Sequence, residues 1–376
     1  MEILNVTSYI SAFLTLLYVL VLLYLVRGWQ QLRSYQPHLK SGKIAVSIIV
    51  AARNEEENIA KTIEDILAQD YDPALMEVIF IDDHSTDQTA AIISRYPRVK
   101  LISLQEKITI NSYKKKAIET AIGGASGTLI ITTDADCRMG QNWLKTIVSY
   151  YEENDYKMIS SPVLYEAEQN FFERAQSLEF MCLIGLGAST IGNNKPSTCN
   201  GANLTYERAA FYEVGGFKGI DDLASGDDEL LLHKMAARYG NKIGFLKNYA
   251  AVVFTQAKPN LSEFIQQRKR WASKSTRYKN KSIIVLGVFV WLFNLSIVFN
   301  LLAGLFIAGL FKIALIQLFL KITVEFIFLW DVTKFAKRRE LLPILPILNL
   351  MHIIYIIYIG VAGNSGKYNW KGRMVK

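Results

Sequence analysis

The chain has 376 residues, of which 51% are apolar and 20% are charged, and its net charge is +8. Its 23 glycines and 8 prolines are ordinary amounts, which excludes collagen-like and proline-rich disordered classes. Three scattered cysteines without a CxxC pair and four isolated histidines argue against a disulfide framework, a zinc ribbon and a metal held mainly by imidazole.

The first predicted element is an apolar run of 18 residues from Tyr9 to Val26. This length suffices to cross about 30 Å of hydrocarbon. No basic residue precedes the run and no small-residue cleavage site follows it, so a retained anchor is expected instead of a cleaved signal peptide. Arg27, Arg33, Lys40 and Lys43 follow without an intervening acid, which predicts that the next domain faces the cytoplasm.

The middle of the chain is expected to be a soluble α/β domain over residues 44–257. Strand-like runs at Ala45–Val50, Glu77–Ile81, Val99–Leu104 and Leu129–Thr133 alternate with helical stretches at Glu56–Ala68, Thr86–Arg95 and Lys114–Ile122. Short β-branched runs separated by helices predict a doubly wound, mostly parallel sheet. Ligands of such sheets bind at the carboxyl ends of the strands.

The C-terminal third is predicted to enter the membrane. A basic stretch within 258–281 carries Arg268, Lys269, Arg270, Lys274, Arg277, Lys279 and Lys281 and no acid between Gln266 and Lys281. Apolar runs follow at Ile283–Phe311, Ile313–Trp330 and Leu341–Gly363. The first is either one long tilted span or a hairpin, and Pro343 and Pro346 make the start of the third a candidate interfacial segment.

The expected organisation is therefore an N-terminal anchor (1–27), an α/β domain (44–257), a basic interfacial segment (258–281), a transmembrane region (282–363) and a basic tail (364–376). The side of the membrane on which the tail lies stays open. Because the basic residues cluster beside apolar segments, the net charge favours a lipid bilayer as the partner, and not nucleic acid.

Two polar segments follow the first two predicted strands. Ala51, Arg53 and Glu55 lie where a strand gives way to a helix, a turn whose free N–H groups suit an anion or a nucleotide. An ordinary helix start would carry the same residue types. Asp82 and Asp83 follow the next strand, where carboxylates can recognise a base or a ribose or can precede a simple helix cap.

Two acidic segments lie further along the chain. Asp134 and Asp136 follow the strand at Leu129–Thr133, and carboxylates at this spacing can share Mg²⁺ or Mn²⁺ with a diphosphate. Asp227, Asp228 and Glu229 open a helix, where acids are favoured by the helix dipole. A general base is the functional alternative, since adjacent acids raise one another's pKa.

A fifth segment, Gln267–Trp271, precedes the membrane region. It is typical of a basic helix lying on lipid headgroups with Trp271 as an interfacial anchor. Arg270 could in addition neutralise a diphosphate.

In this order the five segments resemble inverting glycosyltransferase family 2, whose fold is called GT-A. The resemblance runs from Ala45 to Trp271 and implies a nucleotide-sugar donor, Mg²⁺ or Mn²⁺, and direct transfer without a covalent intermediate. It also implies that Asp228 is the catalytic base and that Asp136 holds the metal. The residues implied to contact the donor are Ala51, Arg53, Glu55, Asp83, Lys114, Asp134, Gly201, Asn203, Gln267, Arg270 and Trp271.

The sequence departs from the family pattern in two places. His84 stands where relatives commonly have glycine, and Asp227–Asp228 replaces the usual Glu-Asp while keeping the carboxylate of the base. The tail Trp370–Arg373 resembles the WxGR ending of some membrane relatives.

The sequence indicates the acceptor less directly than it indicates the nucleotide-sugar donor. QxxRW, here Gln267 to Trp271, occurs in polysaccharide synthases and in membrane enzymes that glycosylate lipids. Few apolar segments leave little chain to build a polymer channel, which favours a membrane lipid as acceptor over a growing glycan. A processive polysaccharide synthase and a non-catalytic partner of a membrane synthase are the alternatives. Lys312, Lys321 and Glu325 within the apolar runs either have a transport function or snorkel at span ends.

Overall fold

The computed structural model describes residues 2–37, 43–104, 112–274, 278, 280–363, 368–370 and 373–375. The described residues form two compact units. The sheet unit comprises the described parts of 31–168, 186–257 and 367–376, and the helical unit comprises those of 1–30, 169–185 and 258–366.

The strands belong to the sheet unit. They are β1 (Val46–Ala52), β2 (Met76–Asp82), β3 (Lys100–Ser103), β4 (Leu129–Asp134), β5 (Arg138–Met139), β6 (Met158–Ser160), β7 (Val163–Glu166), β8 (Leu204–Glu207), β9 (Ile243–Phe245), β10 (Val253–Gln256), β11 (Tyr368–Trp370) and β12 (Arg373–Val375).

In the part of the chain that the structure describes, the main sheet has seven strands in the order β3-β2-β1-β4-β8-β6-β9, of which only β8 runs antiparallel to its neighbours. A second sheet has the order β5-β10-β7, and β11 pairs with β12. The central strands β1, β2 and β4 are almost entirely buried, which explains their continuous apolar runs. The predicted α/β, mostly parallel GT-A-like fold class is confirmed.

The helices are α1 (Glu2–Gln31), α2 (Ile59–Leu67), α3 (Thr89–Ile93), α4 (Tyr113–Gly123), α5 (Trp143–Glu152), α6 (Phe171–Gly192), α7 (Arg208–Glu213), α8 (Glu229–Tyr239), α9 (Leu261–Ser273), α10 (Lys281–Ala303), α11 (Ala308–Ala336) and α12 (Leu345–Ala362). The short helices α2 to α5, α7 and α8 belong to the sheet unit, and α6 contributes to both units. The remaining helices form the helical unit, α1 ending at the boundary.

Helices α2 and α3 are shorter than the sequence predicts, because hydrogen bonds to side chains hold the preceding residues in loops. Glu55 N–H donates to Thr89 Oγ1 at 2.8 Å, and Glu56 N–H donates to Asp87 Oδ2 at 3.1 Å. These bonds hold the predicted first turns as loops, so α2 starts at Ile59 and α3 at Thr89.

Among the described residues, four helical segments are long and apolar enough to cross a membrane. They are Leu4–Gln31, Lys281–Ala303, Ala308–Ala336 and Arg339–Ala362. Each has more than the roughly 20 residues that a span requires. The last one begins with a 3-10 turn, Arg339–Ile344, before α12.

The apolar run Ile283–Phe311 is not one long span: it holds most of helix α10, a turn and the start of α11, and the hairpin that these two helices form extends beyond the run. Helix α10 ends at Ala303, and α11 begins at Ala308. Gly304 lies at the turn, where a Cβ would come within 2.6 Å of the Asn300 carbonyl oxygen and 2.7 Å of the Phe311 backbone. Glycine therefore allows the two helices to approach.

A polar network lies inside the helical unit and includes Lys321 and Glu325. Lys321 donates to Glu325 Oε1, which also accepts from the Tyr18 hydroxyl at 2.5 Å. Asn349 Nδ2 donates to Glu325 Oε2 at 2.8 Å. Lys321 is 1% exposed and lies near the middle of α11, so these two charges pair inside the helices and do not snorkel at span ends.

Of the predicted basic tail (364–376), residues 364–367, 371, 372 and 376 lie outside the described residues. Of the WxGR-like ending, Lys371 and Gly372 are outside them, and Trp370 and Arg373 are placed on β11 and β12. Of the basic flanks, Lys40, Arg277 and Lys279 are also outside the described residues.

Candidate active site

The predicted acidic segments converge on one edge of the main sheet. Ala51 of β1 is in register with Asp134 of β4, and Ala52 is in register with Asp82 of β2. Since the three strands are parallel, the loops that follow them leave the sheet side by side. Arg53, Asp83 and Asp136 therefore lie beyond neighbouring strand ends.

The loops after β1 and β2 form a single hydrogen-bonded structure. Asn54 N–H donates to Ser85 Oγ at 3.0 Å, and Thr86 N–H donates to Asn54 Oδ1 at 2.9 Å. Arg53 Nη1 donates to the carbonyls of Asp83 and His84 at 2.7 and 2.8 Å. This loop pair holds the peptide groups around Arg53 and Asp83 in fixed positions.

Asp83 is the buried part of that loop pair, and the partly exposed His84 lies beside it. Asp83 is 2% exposed, and His84 Nδ1 lies 3.0 Å from Asp83 Oδ1. His84 has φ +54°, a left-handed conformation that favours glycine. A histidine thus occupies a backbone position that glycine adopts more easily, and its ring contacts Asp83.

Lys114 joins the end of β4 to the segment before α8. Its Nζ lies 2.8 Å from Asp134 Oδ1 and 3.2 Å from Asp227 Oδ2. Burial acts to lower the pKa of Lys114, but the two carboxylates outweigh it and raise the pKa above its ordinary value. Lys114 is therefore a fixed positive charge that brings Asp134 and Asp227 together.

Asp228 is the N-cap of α8. Its Oδ1 accepts from Glu229 N–H at 2.6 Å, and its Oδ2 accepts from Gly201 N–H at 3.1 Å. A Cβ at Gly201 would lie 3.3 Å from both Asp227 Oδ2 and Asp228 Cβ, so glycine leaves the room that this close approach needs. A carboxylate has about four lone-pair positions, so the two bonds orient Asp228 without using its whole accepting capacity.

Asn203 is in the predicted loop after Gly201, but its side chain packs inside the sheet unit. Its side chain is fully buried, its Oδ1 accepts from Trp143 Nε1 at 3.0 Å, and its Nδ2 donates to the carbonyls of Pro162 and Ala251 at 2.8 Å. The amide therefore holds the loop after Gly201 in place, and it is not exposed to a ligand.

Asp134 and Asp136 present the oxygen atoms that Mg²⁺ and Mn²⁺ prefer. Both side chains are partly exposed beyond β4. Within the described ranges, no three His, Cys, Asp or Glu side chains could hold a metal by themselves. This donor set fits an ion that takes its remaining ligands from phosphate and water. Burial raises the pKa of the neighbouring Cys137 thiol well above its ordinary value.

Gln267, Arg270 and Trp271 are on α9 in the helical unit, whereas the other predicted site residues are in the sheet unit. Arg268, which no sequence argument singled out, fixes this helix. Its guanidinium donates to Gln267 Oε1 at 2.8 Å and pairs with Glu179 of α6 at 2.5 Å. It also lies 4.2 Å from the centroid of the Trp271 ring.

Sequence reasoning also missed Lys115. This side chain is 1% exposed, and its Nζ donates to the carbonyls of Leu223 and Ser225 at 2.6 Å each. Lys114, Lys115 and Lys116 form a run, and in such a run the sequence does not show which lysine is buried.

Comparison with known proteins agrees with this geometry. Residues 47–215 match the model of Glycosyl transferase family 2. The match covers just under half of the chain, and this segment is similar to that family. That segment holds β1, β2 and β4 and the predicted site residues from Ala51 to Asn203.

Curated relatives share part of their length with this chain. A beta-monoglucosyldiacylglycerol synthase of Nostoc sp. is 29% identical over 150 residues, which are 39% of this chain and 32% of the relative. The protein of the same name from Synechocystis sp. is 25% identical over 233 residues, 60% of this chain and 47% of the relative. A glucosyl-dolichyl phosphate glucuronosyltransferase of Haloferax volcanii is 24% identical over 184 residues, 46% of this chain and 56% of the relative. The chain thus spans between a third and just over half of these relatives.

Among solved structures, the mannosyltransferase PcManGT of Pyrobaculum calidifontis, in complex with GDP-Man and Mn²⁺, resembles this fold over its whole length. The TM-score is 0.57 at 18% identity, and the likeness covers 96% of this chain and 98% of that one. It shows a shared GT-A-like fold.

Proposed function

We propose that this protein is a membrane-bound inverting glycosyltransferase that moves a sugar from a nucleotide-sugar donor to a membrane lipid. The observation that carries the proposal is the cluster in which Lys114 joins Asp134 to Asp227, next to the oriented carboxylate of Asp228. This cluster lies in a chain of which residues 47–215 are similar to Glycosyl transferase family 2.

The donor would bind at the carboxyl edge of β1, β2 and β4. Ala51, Arg53, Glu55 and Asp83 form the loop pair proposed to contact the nucleotide base. Its hydrogen bonds support this role because they fix the peptide groups before any ligand arrives, which lowers the entropy cost of binding.

The diphosphate would lie beside Asp134 and Asp136. Asp136 is proposed as the metal ligand, and Asp134 stays within reach of Lys114, whose positive charge suits the phosphates. A bound Mg²⁺ or Mn²⁺ supplies positive charge that stabilises the departing nucleoside diphosphate. The family resemblance also implies a role for Arg270 of α9 in donor binding.

The transfer would be a single displacement at the anomeric carbon. As the acceptor hydroxyl oxygen forms its bond to that carbon, Asp228 takes the hydroxyl proton. The bond from the carbon to the diphosphate oxygen breaks, and the electron pair leaves with the nucleoside diphosphate. Attack from the opposite face inverts the configuration, and loss of such a base lowers rates by about 10²–10⁴-fold.

A lipid acceptor is supported by two observations. Four helical segments are long and apolar enough to place this chain in a membrane. The curated relatives that match it include enzymes whose names refer to diacylglycerol and to dolichyl phosphate.

We further propose that the α/β domain (44–257) lies on the cytoplasmic side, between an N-terminal anchor (1–27) and a C-terminal membrane region (282–363). The basic residues Arg27, Arg33 and Lys43 after the first apolar run support this orientation. The interfacial segment (258–281) would lie on the same side of the membrane as the α/β domain.

The test uses membranes containing the full chain, incubated with a panel of labelled nucleotide sugars and Mg²⁺ or Mn²⁺. We expect label in the organic extract with wild-type protein and its loss in Asp228→Asn. Asp155→Asn is the control, because Asp155 is an exposed acid paired with Lys242 on the surface. Insoluble labelled polymer would instead indicate a polysaccharide synthase. Absence of transfer with every donor would indicate a non-catalytic partner.

A further inference from the structure

The first turn of α4 holds the segment that leads to Asp228. Ser112 Oγ donates to the Asp221 carbonyl. Lys115 Nζ donates to the carbonyls of Leu223 and Ser225 at 2.6 Å each. Lys114 then binds the side chain of Asp227. The segment 221–227 is therefore attached to one helix at three successive places.

Lys115 is the central attachment. Its side chain is 1% exposed, and carbonyl oxygens are the hydrogen-bond acceptors that its ammonium contacts. Burying an ammonium group is costly unless its hydrogens are bonded, so this arrangement holds only while the two carbonyls stay in place. A lysine here has three donors, whereas an apolar residue of similar length has none.

The hydrogen bond from Lys115 to the Ser225 carbonyl lies three residues before the proposed base, Asp228. Gly226 follows Ser225 with φ +87°, a turn that a side chain would strain, and Asp227 and Asp228 come next. With the Ser225 carbonyl fixed by Lys115, the turn at Gly226 directs Asp228 to the N-terminus of α8, where Oδ2 meets Gly201 N–H. Backbone movement at residues 223–225 would therefore displace the carboxylate of Asp228.

We propose that Lys115 is a positioning residue that acts through Asp228 and sets the place of its carboxylate for proton removal. This inference rests on the proposed function. Lys115 touches neither donor nor acceptor in this assignment; it fixes the loop that carries the base. Catalytic geometry tolerates only displacements well below 1 Å. A loosened loop therefore slows transfer even when the fold is intact.

The test combines Lys115→Met with Asp228→Asn in the full chain in membranes. We expect Lys115→Met to lower kcat about 10- to 10²-fold in the wild-type background, with the donor KM changed less than about threefold. In the Asp228→Asn background the same change should lower kcat less than about twofold, because residues that act as one unit are not additive. Lys116→Met is the matched control, since Lys116 is exposed on the same turn.

Hydrogen exchange gives a readout that does not depend on activity. Peptides covering 221–228 should exchange faster in Lys115→Met and unchanged in Lys116→Met. An equal loss of kcat in both backgrounds, or unchanged exchange, would overturn the positioning role. If the wild-type protein transfers no sugar, the proposed function fails and the catalytic part of this inference fails with it. The exchange result then decides separately whether Lys115 holds the loop.

Discussion

Lys114 lies 2.8 Å from Asp134 and 3.2 Å from Asp227, so a single ammonium group joins the end of β4 to the residue before the proposed base. Lys114→Met would leave these two carboxylates near each other without that counter-charge. We expect a loss of about 1–3 kcal/mol in the free energy of unfolding and at least a tenfold higher donor KM. Thermal unfolding and donor titration of the transfer rate measure the two effects.

Lys145→Met is the control for Lys114→Met. Lys145 also pairs with an aspartate at 2.7 Å, but its partner Asp70 is largely exposed. Such surface pairs contribute about 0–1 kcal/mol, so donor KM should stay unchanged. Equal effects of the two substitutions would show that Lys114 has no special role.

We expect that a metal ion and a nucleoside diphosphate together stabilise the folded protein only when Asp136 is present. In wild-type protein, Mn²⁺ with the matching nucleoside diphosphate should raise the melting temperature, because a ligand that binds only the folded state stabilises it. Asp136→Asn should remove most of that rise while leaving the melting temperature without ligand within about 2 °C, since a substitution of a partly exposed side chain costs little. A full rise in Asp136→Asn would exclude Asp136 as the ligand. Asp155→Asn is the surface control.

The left-handed backbone at His84 predicts that a glycine variant at this position is more stable than an alanine variant. His84→Gly and His84→Ala both remove the imidazole that contacts Asp83, but only alanine is strained at φ +54°. His84→Ala should therefore be less stable than His84→Gly by about 1 kcal/mol. The reverse order is expected at exposed Ser94, whose φ is −62°. Melting temperatures of the four variants provide the comparison, and the same order at both positions would contradict it.

Burial of Lys115 predicts a pH dependence of stability. Desolvation by burial lowers the pKa of Lys115 to about 8, against an ordinary value of 10.5. Nearby carboxylates act in the opposite direction; they belong to Asp221, Asp222, Asp227 and Asp228. Between pH 8 and 10.5 the unfolded chain binds more protons at this residue than the folded chain does. The contribution to stability therefore rises with pH, by at most about 1.4 kcal/mol per pH unit.

The measurement compares unfolding of wild-type and Lys115→Met between pH 8 and 10. Relative to Lys115→Met, the wild-type protein should gain stability as pH rises, because the variant lacks the titrating group. Lys116→Met should follow the wild-type curve. Parallel curves for wild type and Lys115→Met would show that burial does not perturb this lysine.

The strands that build the candidate site could be predicted from sequence. β1, β2 and β4 are buried on both faces, so they appear as short continuous apolar runs, and their predicted bounds differ from the observed ones by one or two residues. The acids after them stood out because polar residues that follow a buried strand lie at the edge where ligands bind.

The contacts that orient those acids could not be predicted. Which member of the run Lys114–Lys116 is buried depends on carbonyls at 223 and 225, more than a hundred residues away in the chain. The family resemblance implies Asn203 as a donor contact, and the partners that hold its amide inside the fold, Pro162 and Ala251, are distant in sequence. A pattern of residue types shows which side chains can do chemistry, but long-range backbone positions decide which of them face a ligand.

Arg268 and Glu179 form a buried ion pair whose removal should destabilise α9. Their side chains are 2% and 7% exposed, and the guanidinium also lies against the rings of Phe264 and Trp271. Glu179→Gln leaves the Arg268 charge without its carboxylate partner, and loss of one member of such a pair costs about 3–5 kcal/mol. Replacing both members, in Glu179→Gln with Arg268→Met, should recover part of that loss because no unpaired charge stays buried. Thermal unfolding of the full chain measures both variants against Asp155→Asn, whose surface pair with Lys242 should matter little. If the double variant is less stable than Glu179→Gln, the stabilisation comes from contacts of the Arg268 side chain with the aromatic rings and not from its charge pair.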